Sequence, residues 1–256
     1  SEGLARVGLD GKRGFVDKTG KVVIPLKYGF ADSFSEGLAA VELDDKHGYI
    51  DKNGIEVIPF KYDWALSFSE GLAAVELDGK WGYIDKTGNE IIPLKYDRAD
   101  SFSEGLARAR LDGKEGFIDK TGKEVTPFKY DWALSFSEGL AEVKLDGKQG
   151  FIDKTGKEVV PFKYDRARPF SEGFAQVQLN GKWFYIDKTG KEVIPIKYDK
   201  ADAFFEGLAK VELDGKHGFI DKTGKEVTPI KYDKADSFSE GLARVYLDEK
   251  RGYIDR

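Results

Sequence analysis

Aspartate is the residue type in this sequence that recurs at a spacing able to do chemistry. One aspartate ends each second predicted strand, and in most copies it precedes Lys-Thr-Gly. Such a column could hold calcium if neighbouring units brought carboxylate oxygens within about 2.3–2.6 Å of one ion. An aspartate before a turn also accepts hydrogen bonds from the backbone that follows it, and we favour this interpretation. We therefore expect no metal site at the column, which comprises Asp17, Asp51, Asp85, Asp119, Asp153, Asp187, Asp221 and Asp255.

The remaining reactive residue types form no catalytic pattern. The chain has no cysteine, and its two histidines, His47 and His217, lie five repeats apart. In an open array they could not share a metal ion, and neither belongs to a Ser-His-Asp arrangement. The expectation is a protein with no catalytic residues, no cofactor and no enzymatic activity.

The elements that position these residues repeat every 34 residues without an insertion or deletion. A strict period of this size is typical of arrays in which each unit buries its apolar surface against its neighbours. The sequence predicts one repeat domain over residues 1–256. Its copies are 1–34, 35–68, 69–102, 103–136, 137–170, 171–204 and 205–238, and a C-terminal capping half-repeat follows at 239–256.

Each copy has the pattern of a three-stranded β-meander. In the third copy, alternating apolar residues predict a strand at 73–77, and Asp78-Gly79 is a dipeptide favoured in two-residue type I′ turns. A second strand is predicted at 81–85. A third follows at 90–95, after a turn that contains glycine.

The Asp-Gly turn predicts which residues face one another across the hairpin. Glu76 should lie opposite Trp81, and Val75 opposite Gly82. The positions that vary between copies then share one face. The equivalent pairs are Glu42 with His47, Arg110 with Glu115, Lys144 with Gln149, Gln178 with Trp183, Glu212 with His217 and Tyr246 with Arg251.

Proline and the connector set the expected architecture. A proline lies in the third strand of every complete copy, as Pro93 does in copy three, so each meander should end as a discrete sheet. The connector at 96–102 is expected to form one helical turn capped by Asp97. The chain begins and ends with the same hairpin. The fold class expected is therefore an all-β tandem array of three-stranded β-meander repeats, with an open superhelical solenoid favoured over a closed propeller-like ring.

Composition excludes some partners and leaves the location open. Acidic and basic residues number 46 and 41 and are interspersed in every repeat, which argues against nucleic acid as a partner. No apolar run is long enough to span a membrane, so no membrane insertion is expected. The absence of methionine predicts a processed, excised or engineered piece. Cytoplasmic and exported locations both stay open, as does the oligomeric state.

A segment of copy three resembles a known bacterial repeat. Gly79-Lys80-Trp81-Gly82-Tyr83-Ile84-Asp85-Lys86-Thr87-Gly88, with Pro93 to Asp97 and Phe102 to Ala107 after it, is similar to the WG or KWG repeat family. The resemblance covers the whole chain, although only Trp81 and Trp183 occupy the tryptophan position, and Phe184 replaces the glycine. It implies a β-rich bacterial repeat with an interaction-related role and supplies no catalytic residues.

Departures from the repeat mark the candidate binding residues. Most connectors carry a charged residue where copies two and four have Trp64 with Leu66 and Trp132 with Leu134. Because this position is usually charged, these side chains are candidates for an exposed contact surface, and stacking on the neighbouring unit is the alternative. The other candidates are Trp81, Trp183 and Phe184. In copy six, mutual repacking of large residues is favoured over a ligand pocket.

The function expected is a non-catalytic scaffold that binds a protein or peptide through variable positions on one face. A carbohydrate- or cell-envelope-binding module is an alternative, with a glycan as its partner. The second alternative is a consensus-like engineered scaffold without a ligand.

Overall fold

The computed structural model describes residues 2–239 and 241–255, and every regular element in that part of the chain is a β-strand. The all-β class is therefore confirmed. The chain divides into two compact units, Ser1–Tyr130 and Asp131–Arg256. Ser1 of the first copy and Glu240 and Arg256 of the capping half-repeat lie outside the described residues.

The first unit contains strands β1 to β15. They are β1 (Ala5–Leu9), β2 (Lys12–Val16), β3 (Val22–Tyr28), β4 (Phe30–Ala31), β5 (Ala39–Leu43), β6 (Lys46–Ile50), β7 (Glu56–Tyr62), β8 (Trp64–Ala65), β9 (Ala73–Leu77), β10 (Lys80–Ile84), β11 (Glu90–Tyr96), β12 (Arg98–Ala99), β13 (Leu106–Leu111), β14 (Lys114–Asp119) and β15 (Glu124–Tyr130).

The second unit contains strands β16 to β30. They are β16 (Trp132–Ala133), β17 (Leu140–Leu145), β18 (Lys148–Asp153), β19 (Glu158–Tyr164), β20 (Arg166–Ala167), β21 (Phe174–Leu179), β22 (Lys182–Asp187), β23 (Glu192–Tyr198), β24 (Lys200–Ala201), β25 (Leu208–Leu213), β26 (Lys216–Asp221), β27 (Glu226–Tyr232), β28 (Lys234–Ala235), β29 (Leu242–Leu247) and β30 (Lys250–Asp255).

A complete sheet has four antiparallel strands that follow one another along the chain. The sheet of copy three, for example, has the order β8-β9-β10-β11. Its three long strands are the predicted meander, and each sheet is separate from the next. The short first strand comes from the end of the preceding copy. The sheets β1-β2-β3 and β28-β29-β30 have three described strands each.

The connector between copies forms a short strand, so the prediction of a helical turn was wrong. Arg98 and Ala99 form β12 and pair with Arg110 and Ala109 of β13. The backbone N–H of Asp97 donates to the carbonyl oxygen of Arg110 at 2.8 Å. Because the first strand of the next copy takes up these backbone groups, a helical turn would leave the same strand edge unpaired.

The hairpin has the predicted turn and register. Asp78 and Gly79 have φ angles of 53° and 74°, the positive values that a type I′ turn requires. Glu76 lies opposite Trp81 in the pairing of β9 with β10. The predicted pairs in the other copies are confirmed: Glu42–His47, Arg110–Glu115, Lys144–Gln149, Gln178–Trp183, Glu212–His217 and Tyr246–Arg251.

The proline-containing strand lies at the edge of its sheet. Pro93 belongs to β11, whose outer side pairs with no other strand of its sheet, so the missing N–H of proline costs no ladder hydrogen bond there. The register of β10 with β11 shifts on either side of Tyr83. A Cβ atom on Gly82 would lie 2.5 Å from the carbonyl oxygen of Ile92. The glycine therefore permits the close approach of the edge strand.

The core of each unit lies between neighbouring sheets. One cluster joins Tyr49 of β6 and Ile58 of β7 to residues near the next sheet. Those residues are Phe68, at the end of copy two, and Val75 in β9. The Tyr49 and Phe68 rings lie 4.9 Å apart, and the Tyr49 hydroxyl donates to the carbonyl oxygen of Leu66 at 2.6 Å. Each copy thus buries its apolar surface against a neighbour, as the period predicts.

A glutamate in the Ser-Glu-Gly turn links successive copies. Glu36 has a φ angle of 53°, and its carboxylate accepts hydrogen bonds from Gly71 N at 3.1 Å and pairs with Lys86 Nζ at 3.0 Å. These contacts offset the cost of a non-glycine residue in the left-handed region. At the equivalent Glu70, the ammonium of Lys120 holds the carboxyl pKa below its usual range. The same link occurs at Glu2, Glu138 and Glu172.

Candidate functional site

Two surface clefts contain six of the seven side chains that the sequence singled out. The first cleft, in the first unit, has a volume of about 330 Å³ and is lined by Trp64, Leu66 and Trp81, together with the segment 97–100. Trp64 is 42% exposed, whereas Leu66 and Trp81 are half-buried. The side chains predicted to form a contact surface therefore lie together here.

The connector strand explains why these residues meet. Trp64 in β8 lies opposite Glu76 in β9, and Glu76 lies opposite Trp81 in β10. Residues paired across neighbouring strands point to the same face of a sheet. The two tryptophans, 17 residues apart in sequence, are consequently on one face of one sheet.

An aromatic cluster continues on the other side of Trp64. The His47 ring lies 4.8 Å from Trp64 and 5.7 Å from Phe30, and the guanidinium of Arg13 lies 5.2 Å from the Phe30 centroid. His47 is 2% exposed, and burial lowers the pKa of its imidazole. Sequence reasoning missed this cluster because it treated the connector column and the hairpin column separately. Their shared 17-residue spacing is the signal that could have revealed it.

The charged groups of the first cleft are already paired. Asp97 Oδ1 accepts a hydrogen bond from Lys80 at 2.8 Å, and Asp100 Oδ2 accepts one from Arg108 Nε at 2.8 Å. Arg98 Nε lies 3.6 Å from the other Asp100 oxygen. The surface left for a ligand is therefore mainly the tryptophan and leucine side chains.

The second cleft, in the second unit, lies at the equivalent place 68 residues later. It has a volume of about 390 Å³, and Trp132, Leu134 and Trp183 are among its lining residues. Trp132 and Leu134 are half-buried, whereas Trp183 is 6% exposed and the guanidinium of Arg168 lies 5.0 Å from its ring. Trp132 thus provides most of the accessible aromatic surface.

The chemistry of the second cleft differs because Glu142 lines it. The Glu142 carboxyl is 2% exposed, and neither oxygen has a hydrogen-bond partner among the described residues. Burial raises the pKa of this carboxyl to about 8, although the nearby Arg168 acts in the opposite direction. The equivalent residue in copy three is Ala74. This column has alanine in copies two and three and a long polar residue in every other copy.

Phe184 lies outside both clefts. Its side chain is 4% exposed, its ring lies 5.9 Å from that of Tyr164, and it packs with Val177 and Ile186. This packing agrees with the repacking interpretation of copy six.

The aspartate column forms turns. Asp85 Oδ1 accepts hydrogen bonds from the backbone N–H of Thr87 at 2.9 Å, from its hydroxyl at 2.7 Å and from Asn89 N at 2.9 Å. These hydrogen bonds lower the pKa of Asp85 to about 2, and the bond from the Thr87 hydroxyl has the largest effect. Over residues 2–239 and 241–255, no group of three or more His, Cys, Asp or Glu side chains could hold a metal ion.

The same described part of the chain contains no helix long and apolar enough to cross a membrane.

Comparison with known proteins identifies the repeat. A family model described as the WG containing repeat matches residues 14–46, 48–81, 81–114, 116–148, 150–183, 183–216 and 218–250. Among curated proteins, no sequence matches the chain.

Solved structures resemble the chain at low sequence identity. A eukaryotic initiation factor is 12% identical, with 98% of this chain and 84% of that chain covered and a TM-score of 0.56. Hsv2p of Kluyveromyces lactis is 9% identical, with 84% and 88% covered and a TM-score of 0.45. The first of these similarities supports a shared β-repeat fold and nothing about function.

Proposed function

Because the chain belongs to the WG containing repeat family, we propose that it is a non-catalytic scaffold that binds a protein or peptide through its two clefts. One observation carries the proposal: the same cleft forms twice, 68 residues apart, at the two connectors that have tryptophan and leucine. Trp64, Leu66, Trp81, Trp132 and Leu134 are the proposed contact residues. Trp183 and Phe184 are buried, and their proposed role is to stabilise copy six by packing in its core.

The first cleft suits an apolar side chain of a partner. Trp64 is 42% exposed beside the half-buried Leu66 and Trp81. The neighbouring charges are paired with one another, so a partner need not neutralise them. Exposed tryptophans next to a small apolar depression are typical of residues that dominate binding energy.

The site is built on strands, which favours binding without large rearrangement. Trp64 and Trp81 lie on strands that flank β9 in the same sheet. His47 packs against Trp64 on its other side at 4.8 Å. A side chain held in this way loses little conformational freedom when a partner binds.

The test is selection of binders from a displayed library of short random peptides. Selected peptides are synthesised, and their affinities are measured by calorimetry for the wild-type protein and for Trp64→Ala. Loss of a central tryptophan should cost about 2 kcal/mol or more, roughly a thirtyfold weaker affinity. Trp132→Ala should have the same effect on peptides that use the second cleft.

Ile55→Ala is the matched control, because Ile55 is 61% exposed and lies outside the cleft. Its affinity for the selected peptides should equal that of the wild type, and thermal melting should confirm that all variants fold. Failure to select any peptide, or equal binding to the tryptophan variants, would contradict the proposal and favour a scaffold without a ligand.

A further inference from the structure

We infer that the second cleft prefers acidic peptides, in which an aspartate or glutamate lies close to an apolar side chain; this deepens the proposed function and rests on it. The preference comes from two cations, Lys144 and Arg166, which line the cleft together with Trp132. Within residues 2–239 and 241–255, neither cation forms an ion pair. An acidic group of a partner can therefore pair with them without breaking an existing contact.

The two carboxyl groups of the second cleft do not cancel these charges. Asp165 is already engaged, because its Oδ1 pairs with Lys148 Nζ at 2.6 Å and its Oδ2 accepts a hydrogen bond from Asn180 N at 2.9 Å. Glu142 is 2% exposed, and burial raises its pKa to about 8, so its carboxyl is mostly uncharged at neutral pH. The accessible lining is therefore basic.

Arg168 adds to the basic character of the cleft but is held by its neighbours. Its guanidinium lies 5.0 Å from the Trp183 ring, and its Nη1 lies 3.8 Å from Asp202 Oδ1. Lys144 and Arg166 are consequently the cations whose charge is available to a partner.

The first cleft has opposite charges at two equivalent positions. Glu76 stands where the second unit has Lys144, and Asp100 stands where it has Arg168. Asp100 Oδ1 also lies 3.6 Å from Arg98 Nε. Because both clefts have the same tryptophan and leucine at the connector, their preferences should differ in the residues beside the apolar side chain.

Strand pairing sets the position of the acidic residue in the peptide. Lys144 in β17 lies opposite Trp132 in β16, and residues paired in this way have Cβ atoms about 4.5–5.5 Å apart. An extended peptide advances about 3.3 Å per residue. The acidic side chain should therefore lie one or two positions from the apolar side chain that contacts Trp132.

The test is a pair of selections from one displayed library of random peptides. Trp64→Ala leaves only the second cleft intact, and Trp132→Ala leaves only the first. Copies three and five to seven have arginine or lysine at this position, so both variants should fold. We expect aspartate and glutamate to be enriched in the Trp64→Ala pool alone. The whole chain carries a net charge of −5, so non-specific attraction would favour basic peptides instead.

Synthetic peptides from the Trp64→Ala pool then measure the contact by calorimetry. Lys144→Glu should weaken their binding about tenfold or more, because it replaces attraction by repulsion. Copies two, three and seven have glutamate at this position, so the variant should fold. Changing the critical acidic residue of the peptide to lysine should restore affinity for Lys144→Glu, which a merely structural role of Lys144 would not do.

Two further variants complete the measurement. Arg166→Gln removes an exposed charge at the cleft and should weaken binding of the acidic peptides about threefold. Lys157→Gln is the matched control, because Lys157 is exposed in the same unit and lies outside the cleft. It should leave binding unchanged.

A Trp64→Ala pool that lacks acidic residues, or that is empty while the Trp132→Ala pool is not, would overturn the inference and leave the peptide role of the first cleft intact. Acidic peptides that bind Lys144→Glu as tightly as the wild type would also overturn it. Failure of both selections would instead contradict the proposed function, and the inference would fall with it.

Discussion

Replacing Glu142 with glutamine should remove a pH dependence from the stability of the second unit. Burial raises the pKa of this carboxyl from the ordinary value of 4.5 to about 8. Below the lower value, the carboxyl is protonated in both the folded and the unfolded chain. Between the two values only the unfolded chain ionises, so the folded state loses about 1.4 kcal/mol of stability for each pH unit.

The interval from 4.5 to about 8 gives a total loss of about 5 kcal/mol in the free energy of unfolding above the higher value. Glutamine has nearly the same shape and does not ionise. Gln176 already occupies the equivalent buried position in copy six. Glu142→Gln should therefore match the wild type near about pH 4 and exceed its stability by an amount that grows toward about 5 kcal/mol near about pH 9.

Urea denaturation followed by circular dichroism at several pH values measures this difference. The control is Glu158→Gln, because Glu158 is exposed on β19 and should show no such growth. Other titrating groups are common to wild type and variant, so their contributions cancel in the comparison. Parallel stability curves for the wild type and Glu142→Gln would refute the reasoning, because they would mean that Glu142 ionises equally easily in both states.

Four other predictions concern the repeat. Gly82→Ala should destabilise the protein by about 1–3 kcal/mol in urea denaturation, because the new Cβ would lie 2.5 Å from a backbone oxygen. The control is Gly252→Ala, whose Cβ would have no atom within 4 Å and which should change stability by less than about 0.5 kcal/mol. Glu36→Ala should cost about 1 kcal/mol in the same assay through loss of the link to the next copy, and the exposed Glu56→Ala should be neutral. In NMR titration, the Asp85 carboxyl should titrate at a pKa of about 2, so its stabilisation is lost only as pH falls from 3.8 through that value. The open solenoid stays a prediction; small-angle scattering should give a radius of gyration above the roughly 18 Å of a compact chain of this length, and a value near 18 Å would contradict it.

The candidate site was partly predictable from sequence. Trp64, Leu66, Trp132 and Leu134 stood out because they break the repeat, and the structure places them in equivalent clefts. Glu142 did not stand out, because a charged residue in a strand usually faces solvent, and only the alanines at the same column in copies two and three hint at burial. Its 2% exposure results from packing between neighbouring sheets, which a single copy does not specify.

The sequence alone determined the features of this protein that follow from local rules. The positive φ angles of Asp78 and Gly79, and the register that places Glu76 opposite Trp81, follow from the Asp-Gly turn and the two-residue period of a strand. The edge position of Pro93 follows from its missing N–H.

Only the tertiary structure decided what happens between copies. The connector segment that resembles a capped helical turn becomes a strand because the next copy offers an unpaired edge to Arg98 and Ala99. The equivalent pairing of Trp64 and Ala65 with β9 brings the connector and hairpin columns to one face, where Trp64 packs against His47 and lines the first cleft. These contacts join residues from different sheets or different copies, and their energies depend on burial and distance, which a sequence pattern does not encode.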